Sequence, residues 1–271
     1  MTETPFRTAK QSHTKSPDVR ALARGLRVLE IMTDAPRGLP LSRLAEESGL
    51  SKSSAHRLAQ TLVHEGYLLQ KQDNGHYLPS LKVLRLGHKL IEDTDLTAVS
   101  RPHLQLLAQE TGETAHLVLL DRDTIVYVDK VESPNPIRMY SRIGLRAPAH
   151  CTGAGKAILA FLSPERLQAV LGDRPLQRHT KSTITDRREL RRHLAKVRKR
   201  RYAIDDGEHE EQVRCLATPL FASNGEPAGA ISLAAVSYRV DLETLRGWWP
   251  LLRERSQALS ADLSHYFDRY I

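Results

Sequence analysis

The chain has 271 residues, which is long enough to bury two hydrophobic cores. It contains no apolar run of about 18 residues and its N-terminus lacks the apolar segment of a secretory signal, so the sequence predicts neither a membrane span nor export. Two cysteines are too few for a disulfide framework and are typical of the cytoplasm, where we expect the protein to act. The net charge of +8 favours a polyanionic partner, although the first 80 residues supply only +3 of it.

The predicted elements begin after a flexible, mildly basic arm at residues 1–19. We expect a first domain over residues 20–80, opening with a helix at Ala21–Thr33. Apolar residues recur in this helix at three- and four-residue spacing, which is typical of a face that covers neighbouring helices. These residues are Leu22, Leu26, Leu29 and Met32.

A helix-turn-helix pattern follows over Leu41–Leu62. Gly49 stands where the chain has to turn sharply, because glycine enters the left-handed conformation without steric cost. Leu50 is expected to fill the corner, and Ala45 is small where the two helices should cross. The second helix has a predicted buried stripe at Ala55, Leu58 and Leu62.

The opposite face of that second helix is short, polar or cationic, and such a face suits the major groove of DNA. Its candidate DNA contacts are Ser51, Lys52, Ser53, Ser54, His56 and Arg57, to which we add Arg24 of the first helix. An ordinary helical hairpin with a polar outer face has the same pattern. The helix-turn-helix taken alone therefore leaves both interpretations open.

Two short strands are predicted next, at Tyr67–Gln70 and His76–Leu78. The sequence Asp-Asn-Gly at residues 73–75 is a strong hairpin turn signal, because Asn-Gly accepts positive φ. Three helices followed by a hairpin make a winged helix, the fold that we expect for the first domain. Lys71, near the hairpin tip, is a further candidate DNA contact, with a solvated tip residue as the alternative.

A linker helix is predicted over residues 81–95, and its leucines and isoleucine form an apolar face. An apolar face on such a linker covers either its own domain or a second subunit. The remaining residues, 96–271, are expected to form a second domain.

The second domain has an α/β pattern, which makes the whole chain α+β. Helices are predicted at Leu96–Gln109, Ala154–Leu162, Pro164–Leu171 and Asp186–Arg200, and strands at Ala115–Leu120, Thr124–Val131, Ile137–Ile143, Cys215–Phe221 and Ala228–Val236. Turn signals at residues 121–123 and 223–225 join consecutive strands as antiparallel hairpins. We therefore expect an antiparallel sheet with helices packed on it rather than a doubly wound sheet.

The segment His-Cys-Thr-Gly-Ala-Gly-Lys at residues 150–156 is the most informative part of this domain. Thr152 is a plausible N-cap for a helix, and the small residues behind it leave the first backbone N–H groups open to an anion. The same small residues would also permit close packing of the helix on a sheet, so a pocket and a packing role remain equal alternatives. The segment is not a phosphate-binding P-loop, because the required first glycine is absent.

Sequence spacing indicates no other reactive centre. We find no nucleophile, base and acid set, so no catalytic residue or cofactor is predicted. Neither cysteine has metal-ligand spacing to a neighbour, and no metal site is predicted. The acidic cluster at residues 205–211 could hold a metal or screen a pocket, but a solvated loop is the expectation.

Several segments together resemble the IclR family of bacterial transcriptional regulators from about Ala21 to the C-terminus. They are ARGLRVLE, LSRLAEESGLSKSSAHRL, RMYSRIGLRAPAHCTGAGKAILA, DDGEHEEQVRCLATPLF and GAISLAAV. The resemblance implies a winged helix followed by an effector-binding domain with a GAF/profilin-like α/β fold. It also implies dimers, or dimers of dimers, on palindromic double-stranded DNA, with small organic acids or aromatic compounds as effectors.

The resemblance further implies which residues line an effector pocket. They are Met139, Ala147, Gly153, Ala154, Asp205, Val213, Cys215 and Ser232, with the backbone N–H groups of Gly153 and Ala154 facing a carboxylate. Ala147 and Ala234 stand where the family can have a larger leucine and a second serine, so effector identity does not transfer from well-known relatives. The run RMYSRIG is similar to the 2-keto-3-deoxygluconate regulators, which suggests a sugar acid.

These observations favour a ligand-responsive DNA-binding regulator, acting as a repressor of a catabolic operon, over two alternatives. The first is an enzyme with an appended winged helix, which the missing catalytic set disfavours. The second is an adaptor that uses the winged helix to dock proteins; salt-dependent binding to DNA would separate it from a regulator.

Overall fold

The structure, a computed structural model, describes residues 19–35, 37–92, 96–135, 141–264 and 266–267, with the backbone alone at 87–92. Its contacts divide the chain into two units, Met1–Leu90 and Ile91–Ile271. Among the described residues, no helix has both the length and the apolar character needed to cross a bilayer.

The first unit is a winged helix built from three helices and a hairpin. Its elements are α1 (Arg20–Thr33), α2 (Leu41–Ser48), α3 (Lys52–His64), β1 (Leu68–Gln70) and β2 (Tyr77–Pro79), after which α4 begins (Leu81–Glu92). Strands β1 and β2 are antiparallel. The predicted helices, strands and hairpin turn are confirmed to within a few residues at their ends.

The turn between α2 and α3 forms for the reason that the sequence suggested. Gly49 caps α2 in the left-handed conformation, with φ of 66° and ψ of 26°. The N–H of Leu50 then donates to the carbonyl of Ala45 at 3.0 Å, which closes the corner. A residue with a Cβ would be strained at this φ, so glycine suits the turn.

The core of the first unit differs from the prediction in its first helix. Val28 and Met32 are fully buried, together with Leu44 and Tyr77 from the other elements. Leu22 and Leu26 were expected to be buried but are 61% and 52% exposed. The periodicity identified an apolar face correctly, but α1 packs within this unit mainly through its C-terminal half. The N-terminal half leaves its leucines in solvent.

The second unit contains a six-stranded sheet in the order β5-β4-β3-β8-β7-β6, in which all neighbouring strands are antiparallel. The strands are β3 (Thr114–Asp121), β4 (Thr124–Val131), β5 (Arg146–Pro148), β6 (Ala203–Asp206), β7 (Val213–Phe221) and β8 (Pro227–Val236). The helices are α5 (Leu96–Thr111), α6 (Gly153–Leu159), α7 (Pro164–Leu171), α8 (Arg187–Arg200), α9 (Leu242–Gly247) and α10 (Trp249–Asp262).

Two hydrophobic cores sandwich this sheet. Residues of α5, α9 and α10 pack on one face, and residues of α6, α7 and α8 pack on the other. Strand β8 is buried along its whole length because it lies between the two helical layers near the middle of the sheet.

The predicted elements of the second unit are largely confirmed, including both antiparallel hairpins. The strand predicted at Ile137–Ile143 is not: residues 136–140 lie outside the described residues, and residues 141–143 are not in a strand. The sequence analysis missed the short strands β5 and β6 and the helices α9 and α10. Strands of three or four residues are too short to establish an alternating pattern.

Candidate functional site

The candidate DNA-binding face of the first unit begins at the N-terminus of α3. Ser51 caps this helix, since its Oγ accepts a hydrogen bond from the N–H of Ser54 at 3.3 Å. The Ser51 hydroxyl also contacts the hydroxyls of Ser53 at 3.2 Å and Ser54 at 3.0 Å. Part of the polar capacity of these serines is therefore used inside the protein, and Ser51 has a structural role that its exposure alone does not reveal.

Beyond the cap, Lys52, Ser53, His56 and Arg57 are exposed, whereas Ser54 is half-buried. The structure places Arg24 of α1 and Arg57 of α3 along one groove between these helices. Exposed cations and hydroxyls at the start of a helix can donate to phosphates and to base edges, which is the chemistry that a DNA contact requires.

The wing is tied to α3 by a residue that the sequence analysis missed. Gln60 Nε2 donates to Gln70 Oε1 at 2.9 Å and to the Tyr77 hydroxyl at 3.3 Å. Lys71 is exposed beyond this tie, in a tip whose Gly75 has a φ of 68°. The Gln60 contacts hold the wing against the candidate recognition helix, and the only advance signal for them in the sequence was a polar amide residue in that helix.

The second unit contains a cavity of about 50 Å³ beside the start of α6. Seven of the eight predicted pocket residues line it: Ala147, Gly153, Ala154, Asp205, Val213, Cys215 and Ser232. The eighth, Met139, lies outside the described residues. The fold therefore brings together residues that are far apart in the chain, and their role in binding stays a prediction.

Strand register explains how these residues meet. Asp205 of β6 is opposite Cys215 of β7, and Ser232 of β8 is opposite His116 of β3. Thr152 closes the cavity at the helix end: its hydroxyl accepts from the N–H of Gly155 at 3.2 Å and donates to the carbonyl of Pro148 at 2.8 Å. The predicted N-cap is confirmed.

The small residues at the start of α6 pack closely against their neighbours and also line the cavity, so the structure is compatible with both of the roles that the sequence left open. A Cβ added at Gly155 would collide with the backbone of Ala149, so this glycine permits close packing. A Cβ added at Gly153 would lie 2.9 Å from the Cys215 sulfur, and Gly153 also lines the cavity. Packing and pocket are therefore functions of neighbouring residues.

Burial changes the acidity of the cavity's side chains. Asp205 is only 3% exposed, and its burial raises the pKa of its carboxyl to about 7, against the opposing influence of Lys156. Burial likewise raises the pKa of the Cys215 thiol to about 12 and lowers that of His116 to about 3. The cavity is thus lined by a neutral thiol, a neutral imidazole and a carboxyl that can hold a proton near neutral pH.

The acidic cluster at residues 205–211 is solvated only in part: Asp206, Glu210 and Glu211 are exposed, but Asp205 and Glu208 are buried, contrary to expectation. Glu208 is 6% exposed and forms an ion pair with Lys156, which is fully buried. Lys156 also donates to the carbonyl of Ile204 at 2.8 Å. The N–H of Glu208 donates to Asp205 Oδ1 at 2.7 Å. Glu208 can lie inside the protein because this buried lysine compensates its charge.

The sequence analysis missed several polar residues of the cavity. His116 Nε2 lies 2.8 Å from the Ser141 hydroxyl, and Tyr127 packs edge-on against His116 at 5.0 Å between ring centroids. His209 and Glu210 complete the polar lining. Alternation along β3 and β4 placed His116 and Tyr127 in strands but did not show which face carried the cavity.

Comparison with known proteins identifies the family of this two-unit architecture. A family model described as bacterial transcriptional regulator IclR C-terminal matches residues 88–261, and one described as IclR helix-turn-helix domain matches residues 21–72. The HTH-type transcriptional regulator XynR of Escherichia coli is 33% identical over 249 residues, which are 92% of this chain and 99% of that protein. The HTH-type transcriptional regulator KdgR of Escherichia coli is 31% identical over 253 residues, which are 93% of this chain and 96% of that protein.

Solved structures agree with these matches. The crystal structure of an IclR homolog complexed with 4-hydroxybenzoate, from Microbacterium hydrocarbonoxydans, has a TM-score of 0.76 at 26% identity and covers 90% of this chain and 98% of that one. Several differently named regulators match this chain at similar sequence identity, so the whole-chain comparison favours no single branch of the family. It does not single out the 2-keto-3-deoxygluconate regulators, which the run RMYSRIG resembles. The matched families and relatives are transcriptional regulators rather than enzymes. The chain therefore belongs to the IclR family of bacterial transcriptional regulators, which bind DNA through the helix-turn-helix domain and respond to small-molecule effectors.

Proposed function

We propose that this regulator represses a catabolic operon in the cytoplasm and that a small organic acid, bound in the cavity beside α6, controls its binding to DNA. The observation that supports this most strongly is the convergence of the α6 start, Asp205 and Ser232 on one cavity. Backbone N–H groups at a helix start favour an anion, and hydroxyl and carboxyl groups across the cavity can hydrogen-bond the other end of the ligand.

The protonation of Asp205 decides which ligands are compatible. An ionised Asp205 would repel a carboxylate, but burial raises the pKa of this carboxyl to about 7. A protonated Asp205 donates a hydrogen bond to a ligand oxygen instead, and Ser232 does the same from β8. A carboxylic acid that also carries a hydroxyl or keto oxygen fits this arrangement best. The relative complexed with 4-hydroxybenzoate is consistent with such a ligand class.

The volume of the cavity limits the size of the acid. About 50 Å³ is room for roughly four water molecules, which matches a short-chain acid. A sugar acid, the ligand suggested by RMYSRIG, requires the cavity to widen on binding. The widening would itself be a conformational signal, so both sizes belong in the same ligand screen.

We further propose that the protein binds its operator as a dimer. The groove that Arg24 and Arg57 line has a volume of about 730 Å³ and also contains Leu22 and Leu26 of α1 and Leu86 of α4, which is 51% exposed. Leu81 and Leu84 of α4 are also exposed, at 81% and 66%. We assign the exposed leucines of α1 and α4 to contact with a second copy of the chain, because helix-turn-helix proteins read palindromic half-sites as two-fold dimers.

A thermal-shift screen of organic acids tests the ligand proposal. An acid that binds the folded protein should raise the melting temperature in a concentration-dependent way. Ala154→Phe should abolish the shift, because a ring at the α6 start fills the cavity. Ala195→Phe, at an exposed position of α8, is the matched control and should keep the shift. A folded Ala154→Phe protein with unchanged affinity for the acid would show that the pocket is elsewhere.

A further inference from the structure

A second polar cluster lies next to the cavity and is not needed for the proposed function. It consists of His150, Cys151 and His179, whose potential ligand atoms all lie within 4.8 Å of one another. Among the described residues, this is the one group of histidine, cysteine or carboxylate side chains close enough together to hold a metal ion. His150 and Cys151 are buried, whereas His179 is exposed. The cluster therefore has a buried base and one side open to solvent.

Two separate parts of the fold bring these residues together. His150 and Cys151 directly precede Thr152, the N-cap of α6. His179 belongs to a loop that is pinned at both sides: its own N–H donates to Thr183 Oγ1 at 3.0 Å, and Thr180 Oγ1 donates to the carbonyl of Gly207 at 2.6 Å. The separation of His179 from the other two along the chain explains why sequence spacing did not indicate a metal motif.

Hydrogen bonding prepares His150 for coordination. Its Nε2 lies 3.0 Å from the carbonyl oxygen of Gln177, which can only accept, so Nε2 carries the proton and Nδ1 has a free lone pair. A neutral imidazole that donates its second N–H to a backbone carbonyl is the usual arrangement of a metal-bound histidine.

The donor types of the cluster also suit a metal ion. Two imidazole nitrogens and one sulfur are the donor types that zinc prefers. Binding would replace the thiol proton by the metal, so each ion bound releases one proton to solvent.

We propose that His150, Cys151 and His179 form a three-residue site for a zinc-class divalent cation, with the fourth coordination position open to solvent. Donor atoms on one tetrahedral ion lie roughly 3.5 Å apart, so the cluster has to contract slightly on binding. The exposed His179 ring is the group that can move to achieve this. The metal-site proposal does not depend on the identity of the effector or on DNA binding. An experiment can therefore refute the metal site without refuting the proposed regulation, and the reverse is also true.

Cobalt(II) is a direct probe, because a cobalt ion bound by a thiolate has a charge-transfer absorption band in the near ultraviolet. Titrating the full-length protein with CoCl₂ should give this band at one cobalt per chain, and added ZnCl₂ should remove it. Cys151→Ser should abolish the band. Cys215→Ser, which changes the other buried cysteine, should retain it.

The histidine variants keep the test sharp if Cys151→Ser fails to fold. His179→Ala changes an exposed side chain and should weaken zinc binding about tenfold or more in competition with a chromogenic chelator. His64→Ala, at an exposed position of α3, should bind zinc as the unmodified chain does. The absence of a thiolate band in the unmodified protein, a band that survives in folded Cys151→Ser, or unchanged zinc affinity in His179→Ala would each overturn the proposal.

Discussion

Replacing Asp205 by asparagine should change the stability of the second unit in a way that depends on pH. Compared with the unmodified chain, the variant should be more stable at high pH than it is at low pH. Asp205 has an ordinary pKa of 3.8 when the chain is unfolded and a pKa of about 7 when it is folded. Between these two pH values the folded state holds a proton that the unfolded state has released. The free energy of unfolding of the unmodified protein therefore falls as the pH rises from about 4 to about 7, and then stops falling through this group.

The magnitude follows from the two pKa values. At 1.36 kcal/mol per pH unit, the interval from 3.8 to about 7 corresponds to roughly 4 kcal/mol of stability lost through Asp205. Asparagine resembles the protonated carboxyl and keeps the oxygen that accepts the N–H of Glu208. The stability of Asp205→Asn, measured relative to the unmodified chain, should therefore increase by roughly 4 kcal/mol between pH 4 and pH 8.

Tryptophan fluorescence during urea unfolding is a suitable assay, because the two tryptophans of the chain, Trp248 and Trp249, both pack against a core of the second unit. Asp123→Asn, at an exposed turn position, is the matched control and should keep a constant difference in stability across the same pH range. A difference between Asp205→Asn and the unmodified chain that does not change with pH would refute the reasoning.

Three further predictions concern the first unit. Arg57→Ala should weaken operator binding by about 1–3 kcal/mol in a gel-shift titration without changing the melting temperature. Arg253→Ala, at an exposed position of α10, should bind the operator normally. An unchanged affinity of Arg57→Ala would show that Arg57 is not a DNA contact. Ser51→Ala should lower the stability of the first unit by about 1 kcal/mol in circular dichroism melts, because the helix loses its cap. Ser42→Ala, at an exposed position of α2, should leave the stability unchanged. Equal melting curves for the two variants would contradict the capping role. Leu26→Asp should convert the proposed dimer to a monomer, as measured by light scattering. Leu69→Asp, on the wing where Leu69 is 56% exposed, should leave the dimer intact. A dimeric Leu26→Asp protein would show that the interface lies elsewhere.

The first unit was predictable from the sequence because its determinants are local. Gly49 and Leu50 act within one turn, and Ser51 caps the helix that it begins. The sequence could not show that Leu22 and Leu26 remain exposed. Their spacing reveals an apolar face, but whether another part of this chain covers that face depends on how the helices pack, which the spacing does not show.

The second unit was less predictable because its cavity depends on strand register. His116 becomes part of the cavity only because β3 pairs with β8, far away in the chain. Family resemblance supplied seven of the sixteen residues that line the cavity, whereas periodicity and capping patterns alone supplied only the α6 start. The inward fold of Glu208 was missed for the same reason, since its compensating charge, Lys156, comes from a different element.

The most direct test of the proposed regulation measures both partners at once. Fluorescence anisotropy with labelled DNA from upstream of the gene gives the Kd of the protein for its operator, with and without the acid selected by the thermal-shift screen. If acid binding controls repression, saturating acid should weaken this Kd by about fivefold or more, and Ala154→Phe should bind the DNA normally but show no such change. An operator Kd that is the same with and without saturating acid would contradict the proposal, because a ligand that binds both states equally cannot control either.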